Sequence, residues 1–287
     1  MKRFVLRYHF FVLGCIGFIL NSCNSRFRVW VGTNNEQKIY NLKYGEHKRQ
    51  KMDVFLPSDY LENSPVVLIV HGGAWKYGRK EHMIHIQKML FKNNIPSINM
   101  NYRPVSKKIT YKQQLEDIGT VIEKFNSLAQ KAELQPNNYI LLGESAGGHL
   151  ALLYGYQHAD QIKKIISLSA PTDFFSKEYL DSFYSKYTSP TIQKVVGTKF
   201  NRKNLSEEFQ KASPIANISH VPTLLFQGNK DFLVNRRQGL SLDSALAQQN
   251  VPHKLVFMEG AGHAPRFFSK RRRDSIIYPN ILDWIKK

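Results

Sequence analysis

Apolar and polar positions divide the chain into two regimes. At its start, Met1-Lys2-Arg3-Phe4-Val5-Leu6-Arg7 is basic and leads into an apolar run from Phe10 to Leu20. That run is shorter than a comfortable membrane span and has the layout of a secretory signal. From Phe27 onward, short β-rich runs come first and then alternate with stretches whose apolar residues recur every three or four positions.

Phe27 to Val31, Lys38 to Tyr44 and Lys51 to Leu56 read as an antiparallel start, and Pro57-Ser58-Asp59 as a turn. Pro65 to Val70 is continuously apolar, the pattern of a strand buried on both faces of a parallel sheet. A helix is expected over 80–91 and a strand over 95–101. A longer helix follows, with Leu115, Ile118, Val121, Ile122, Phe125 and Leu128 at three- and four-residue spacing. Tyr139 to Leu142, Lys164 to Leu168, Thr223 to Phe226 and Lys254 to Met258 read as strands. Helices are expected over Gly147 to Tyr156, Arg236 to Gln249 and Ser275 to Ile285. This alternation predicts one α/β domain over residues 27–287, with a mostly parallel, doubly wound sheet, helices on both faces and ligands at strand carboxyl ends. Residues 172–218 hold no strong strand and crowd Phe174, Phe175, Tyr179, Phe183, Tyr184 and Tyr187 together, so a small lid-like excursion is expected there.

The apolar run ends in Leu20-Asn21-Ser22-Cys23, which resembles the bacterial lipobox. On this reading residues 1–22 are a signal peptide and Cys23 is the lipid anchor, setting the protein on a membrane of the bacterial envelope, on its periplasmic or surface side. A plain signal with secretion, or an uncleaved anchor, is the alternative. The only cysteines, Cys15 and Cys23, both lie in this segment, so the folded domain has no disulfide, no thiol nucleophile and no cysteine-based zinc site. Loss of Lys2, Arg3 and Arg7 with the signal lowers the formal charge from +19 to +16. Such a field attracts anionic lipid or polysaccharide surfaces. Its densest patch, Lys270 to Arg273, directly precedes the apolar positions Ile276, Ile277, Ile281 and Trp284, so it reads as a solvated helix entrance and nucleic acid is not expected as a partner.

The strongest chemical signal is Gly143-Glu144-Ser145-Ala146-Gly147-Gly148, directly after a strand and directly before a helix. Glycines are needed there because the nucleophile sits on a tight strand-to-helix turn that lifts its hydroxyl above the sheet. A serine hydroxyl needs a base, and the base needs a carboxylate to hold its tautomer. Asp231 follows the strand Thr223 to Phe226, and His263 follows the strand Lys254 to Met258, each through a glycine-containing loop. Competing acids are Glu259, Asp173 and Asp243. Of the ten histidines, only His263 follows a late strand; His82 and His85 could suggest a metal, but there is no thiolate and no H-E-x-x-H pattern. His71-Gly72-Gly73-Ala74-Trp75 follows Val70 and can turn backbone N–H groups toward a substrate oxygen, joined by that of Ala146. Each such donor lowers the barrier by roughly 3 kcal/mol.

These residues resemble the H-G-G branch of the α/β-hydrolase superfamily: hormone-sensitive-lipase-like esterases and bacterial carboxylesterases, including feruloyl- and acetylxylan-esterase-like enzymes. The matching stretches are Met52-Asp53-Val54-Phe55-Leu56-Pro57, His71 to Trp75, Asn101-Tyr102-Arg103-Pro104, Gly143 to Leu150, Asp231 to Val234 and Gly262-His263. Gly228 to Val234 and Gly260 to His263 are also similar to the catalytic domain of prolyl oligopeptidases. The resemblance implies the α/β-hydrolase fold and acyl transfer through Ser145, Asp231 and His263, with Gly72, Gly73 and Ala146 as oxyanion hole and neither cofactor nor metal. Glu144 departs from the Asp that lipase-like members often carry. The expected substrate is a small-molecule or carbohydrate ester. A peptidase or amidase using the same residues, or a catalytically silent envelope-binding lipoprotein using the basic surface, stand as alternatives.

Overall fold

The computed structural model describes residues 28–32, 36–60, 64–129 and 138–287. Cys15, Cys23 and the rest of the expected signal segment lie outside them. Nine strands form one sheet: β1 Arg28–Val31, β2 Gln37–Lys43, β3 Lys51–Leu56, β4 Val66–Val70, β5 Ser97–Met100, β6 Tyr139–Glu144, β7 Ile162–Leu168, β8 Thr223–Gly228 and β9 His253–Met258. Their spatial order is β1-β2-β3-β5-β4-β6-β7-β8-β9. The first three pair antiparallel, β3 pairs antiparallel with β5, and the remaining six strands run parallel.

Period-two geometry explains why the central strands are apolar throughout. In β4, Leu68 and Val70 enter one core while Val67 and Ile69 enter the other, so every residue of Val66–Val70 is buried. The first core is covered by α2 (Tyr111–Ala129), α3 (Ala146–Gln157) and α7 (Arg237–Gln248), through residues such as Ile118, Leu150 and Leu242. The second is covered by α1 (Ile84–Lys92) and α10 (Tyr278–Lys286), through Ile86, Leu90, Ile281 and Ile285. Helices therefore lie on both faces, as the alternation predicts.

Three elements differ in kind from the sequence expectation. The helix expected over 80–91 opens as a 3₁₀ turn, Lys80–Met83, because Lys80 turns inward: its ammonium lies 2.7 Å from Asp53 Oδ2, and both side chains are buried. The terminal helix opens as a π turn, Arg273–Ile277, in which Tyr278 N donates to Arg273 O; Pro279 has no N–H to continue a regular ladder. The excursion over 172–218 is helical rather than a loop, carrying α4 (Lys177–Asp181), α5 (Phe183–Val196) and α6 (Glu208–Lys211). Ser176 and Ser182 cap the first two by accepting from Tyr179 N and Ser185 N. Its two ends are clasped, with Phe174 N donating to Ser213 Oγ at 2.9 Å and Ile215 N to Thr172 O at 3.0 Å. The short helices α8 (Pro265–Phe268) and α9 (Lys270–Arg272) follow β9.

Candidate active site

Ser145 stands between β6 and α3 with φ 55° and ψ −122°, a left-handed conformation that a side chain rarely adopts. The turn is held by Ser145 N donating to Leu168 O of β7 at 2.8 Å. A Cβ on Gly143 would overlap Gly147 O, and one on Gly147 would overlap Val70 O, so the elbow packs against itself and against the end of β4. The glycines of the motif are thus a packing requirement as well as a conformational one.

His263, in the loop after β9, brings Nε2 to 2.9 Å from Ser145 Oγ, and its Nδ1 lies 2.8 Å from Asp231 Oδ2. Asp231, in the loop after β8, has a fully buried carboxylate whose Oδ1 accepts from Leu233 N and Val234 N at 2.9 and 2.8 Å. Those two donors fix the carboxylate so that Oδ2 faces the imidazole. Lys230 N donates to Ala261 O at 2.9 Å and joins the two loops. The competing acids are engaged elsewhere. Asp173 accepts from Phe175 N and Ser176 N, Asp243 lies 3.4 Å from His253, and Glu259 accepts from Asn229.

Gly72 and Gly73 line the same cavity as Ser145 and His263. A Cβ on Gly72 would sit 2.8 Å from Glu144 O and 3.2 Å from Ser145 Cβ, which shows how closely this backbone approaches the nucleophile. Gly73 has φ +121°, and its carbonyl turns away to accept from Lys76 N and Tyr77 N. Ala146 is the first residue of α3, where backbone N–H groups have no intrahelical acceptor. His71 is buried and burial drives its imidazole down to about 3. Its Nδ1 lies 2.7 Å from Gly72 O, and Arg49 Nη2 lies 3.2 Å from its Nε2 and 2.7 Å from Gly78 O. A neutral ring satisfies both contacts: Nδ1–H donates to the carbonyl and Nε2 accepts from the guanidinium. Tyr102 stacks on this ring at 4.3 Å and donates to His71 O at 3.0 Å.

Trp75 and His149 form a second buried link. Trp75 Nε1–H donates to His149 Nδ1 at 3.1 Å, leaving Nε2–H to donate to Ala212 O at 2.8 Å. Burial pushes this imidazole down to about 4, in keeping with a neutral ring. The chain after β4 is thereby tied through α3 to the end of the excursion. Among the described residues, no group of three His, Cys, Asp or Glu is placed to hold a metal.

Sequence reasoning missed Arg266. Its buried guanidinium makes a bidentate pair with Glu144, Nε to Oε1 at 2.6 Å and Nη2 to Oε2 at 2.7 Å, and Nη2 reaches His82 O at 3.1 Å. One side chain thus joins the residue before Ser145, the helix after His263 and the turn that follows the His-Gly-Gly loop. The signal available beforehand was Glu144 itself, a carboxylate inside an otherwise apolar strand end.

These groups open into a cavity of about 980 Å³. Trp75, Phe174, Tyr179 and Ile192 line its apolar wall, with Phe174 and Tyr179 also packed in the first core. Tyr184 lines it too, its hydroxyl donating to Asp231 O at 3.3 Å.

A sheet of this order, with its reactive side chains gathered at one carboxyl edge, places the chain among the α/β hydrolases. Within them it belongs to the BD-FAE family, which it matches over residues 52–246. It is 25% identical over 256 residues to isoprenylcysteine alpha-carbonyl methylesterase of Arabidopsis thaliana, a match covering 81% of this chain and 58% of that protein. The chain therefore spans little more than half the length of that relative. Among solved structures it resembles a truncated carbohydrate esterase from gut microbiota, with TM-score 0.71 and 17% identity over 93% of this chain and 99% of the other. It also resembles esterase B from Lactobacillus rhamnosis, with TM-score 0.69 and 17% identity over 90% and 88% of the two chains.

Proposed function

We propose that the protein is a serine hydrolase of carboxylic esters, held at the bacterial cell envelope by a lipid on Cys23. The observation that carries the chemistry is the continuous relay Ser145 Oγ, His263 Nε2, His263 Nδ1, Asp231 Oδ2, with spacings of 2.9 and 2.8 Å. Ser145 Oγ attacks the ester carbonyl carbon while His263 Nε2 takes its proton. The carbonyl oxygen becomes an anion that the N–H groups of Gly72, Gly73 and Ala146 receive. Asp231 keeps the Nδ1–H tautomer and stabilises the imidazolium. The imidazolium then gives its proton to the departing alkoxide as the C–O bond breaks, leaving an acyl group on Ser145. Water attacks that acyl carbon, its proton passing to His263; the carboxylic acid leaves and Oγ recovers a proton.

A carbohydrate esterase and a methylesterase among similar proteins support ester substrates, with small-molecule and carbohydrate esters as candidates. Purified protein is expected to hydrolyse short-chain nitrophenyl esters and acetylated or feruloylated sugars, and Ser145→Ala to abolish both. Labelling with a fluorophosphonate should stop in the same variant. Undiminished hydrolysis by Ser145→Ala defeats the assignment. Faster cleavage of peptide amides than of esters moves it to the amidase reading.

A further inference from the structure

We propose that the mouth of the active-site cavity docks on an anionic phospholipid surface, so that ester substrate enters from that surface. This rests on the envelope setting and hydrolase reading proposed above, and deepens both. Large apolar side chains that remain exposed are concentrated at the mouth: Tyr77, Phe183, Tyr187, Phe232, Leu233 and Phe267 are at least half exposed, and all six line the cavity. They come from four separate segments, so no single loop accounts for them. Phe183 and Tyr187 lie one helical turn apart on α5 with ring centroids at 4.5 Å, and Phe267 is held with the Arg266 guanidinium 3.8 Å over its ring. Phe268, next in the chain, is 89% exposed and does not reach the cavity, so substrate alone would leave it in water.

Charge on these same turns points to the partner. Lys76 beside Tyr77, Lys186 beside Tyr187, Arg236 next to the lining Asn235 and Lys270 after Phe268 are all exposed. No acid interrupts residues 76–77, 183–187, 232–237 or 266–271. Of the acids beside these turns, Asp231, Asp173 and Glu144 are buried and engaged with His263, backbone N–H groups and Arg266, Glu178 pairs with Arg237 at 2.9 Å, and Asp181 is exposed just before α5. Aromatic rings interleaved with cations suit the interface of an anionic bilayer, where rings settle at headgroup level and cations meet phosphate.

Topology supplies a third argument. Met52 of β3 pairs with Met100 and Leu42 of β2 pairs with Met52, which sets the end of β2 at the sheet edge carrying the active site. β1 runs against β2, with Arg28 opposite Tyr40 and Val31 opposite Gln37, so the chain enters β1 from that edge. Four residues separate Cys23 from Arg28, and the five steps between them reach at most about 18 Å. An anchor at Cys23 therefore draws the cavity mouth, rather than the opposite edge, toward the membrane.

The test uses the full-length protein on vesicles of phosphatidylcholine alone and of equimolar phosphatidylcholine and phosphatidylglycerol. Hydrogen exchange at residues 183–187 and 266–268 should slow on the anionic vesicles and recover in high salt. Hydrolysis of a long-chain nitrophenyl ester carried in those vesicles should fall by on the order of tenfold in the double variant Lys186→Glu, Arg236→Glu, and severalfold in Phe268→Ser. Both variants should keep the wild-type rate on a short soluble ester. Equal exchange on both vesicle types, with unaltered vesicle rates in the variants, leaves the lipid anchor acting alone and overturns the docking face. Protection that appears without vesicles and grows with protein concentration assigns the face to a second copy and also overturns it. Failure on the soluble ester strikes the hydrolase reading instead, because the exchange measurement needs no turnover. Failure of the anchor is seen separately, as equal flotation of wild type and Cys23→Ser.

Discussion

Neutral buried histidines make this protein sensitive to acid. Burial brings His71 to about 3 and His149 to about 4, whereas an unfolded chain binds a proton at each near pH 6.5. The unfolded state thus holds more protons than the native state below that pH. Stability is retained above about pH 6.5 and is lost as pH falls, by roughly 1.4 kcal/mol per unit for each ring, until about pH 4, where His149 itself takes a proton. Urea unfolding measured near pH 7 and near pH 5 should show the loss. His149→Gln should remove about half of this slope, whatever it costs in overall stability.

Asp231 and Arg266 act at the same scale and predict different failures. Asp231→Asn keeps the shape but presents an amide to Nδ1, so the wrong tautomer faces Ser145. Steady-state kinetics should give a kcat lower by about 10⁴ with little change in melting temperature. Arg266→Met strands the buried Glu144 carboxylate beside the nucleophile. A loss of roughly 3–5 kcal/mol is expected from denaturant unfolding, and Arg266→Met with Glu144→Met should recover most of it, because an apolar pair leaves no uncompensated charge. Lysine is a poor substitute, lacking the fork that meets both carboxylate oxygens.

At the scale of elements, the elbow is the least tolerant part. Gly147→Ala places a methyl group against Val70 O and His71 O, so the end of β4 and the His-Gly-Gly loop must yield together. Overpacking of this kind costs about 1–3 kcal/mol. It should reach catalysis too, and single-turnover acylation should slow more than the melting temperature falls. The central strands were legible from sequence because a strand buried on both faces must be apolar at every position. The excursion was legible as an interruption but not as helices: α4 and α6 are short, Pro190 lies inside the longer α5, and their order comes from Ser caps and from the clasp between Phe174 and Ser213. The 3₁₀ turn at Lys80 was hidden for a similar reason, since its partner Asp53 lies 27 residues away.

At the scale of the whole molecule, the proposed envelope setting rests on charge and on the N-terminal segment. If Cys23 carries the lipid, mass spectrometry of the mature protein should find an acylated Cys23 at its N-terminus, and Cys23→Ser should move the protein from the membrane to the soluble fraction of expressing cells. Among the described residues no helix is long and apolar enough to cross a membrane.

Sequence alone determined the alternation of strands and helices, the strand-turn-helix setting of Ser145, and the choice of Asp231 and His263. Each of these depends on local rules: periodicity within a few residues, glycine at a close approach, and a polar residue just past a strand end. Only the tertiary structure decided what surrounds them. Arg266 meets Glu144 across 122 residues of sequence, Trp75 meets His149 across 74, and the aromatic mouth is assembled from four segments. Such contacts carry no periodic trace, because they arise when parallel strand ends are brought side by side and the chain between them is left free to vary.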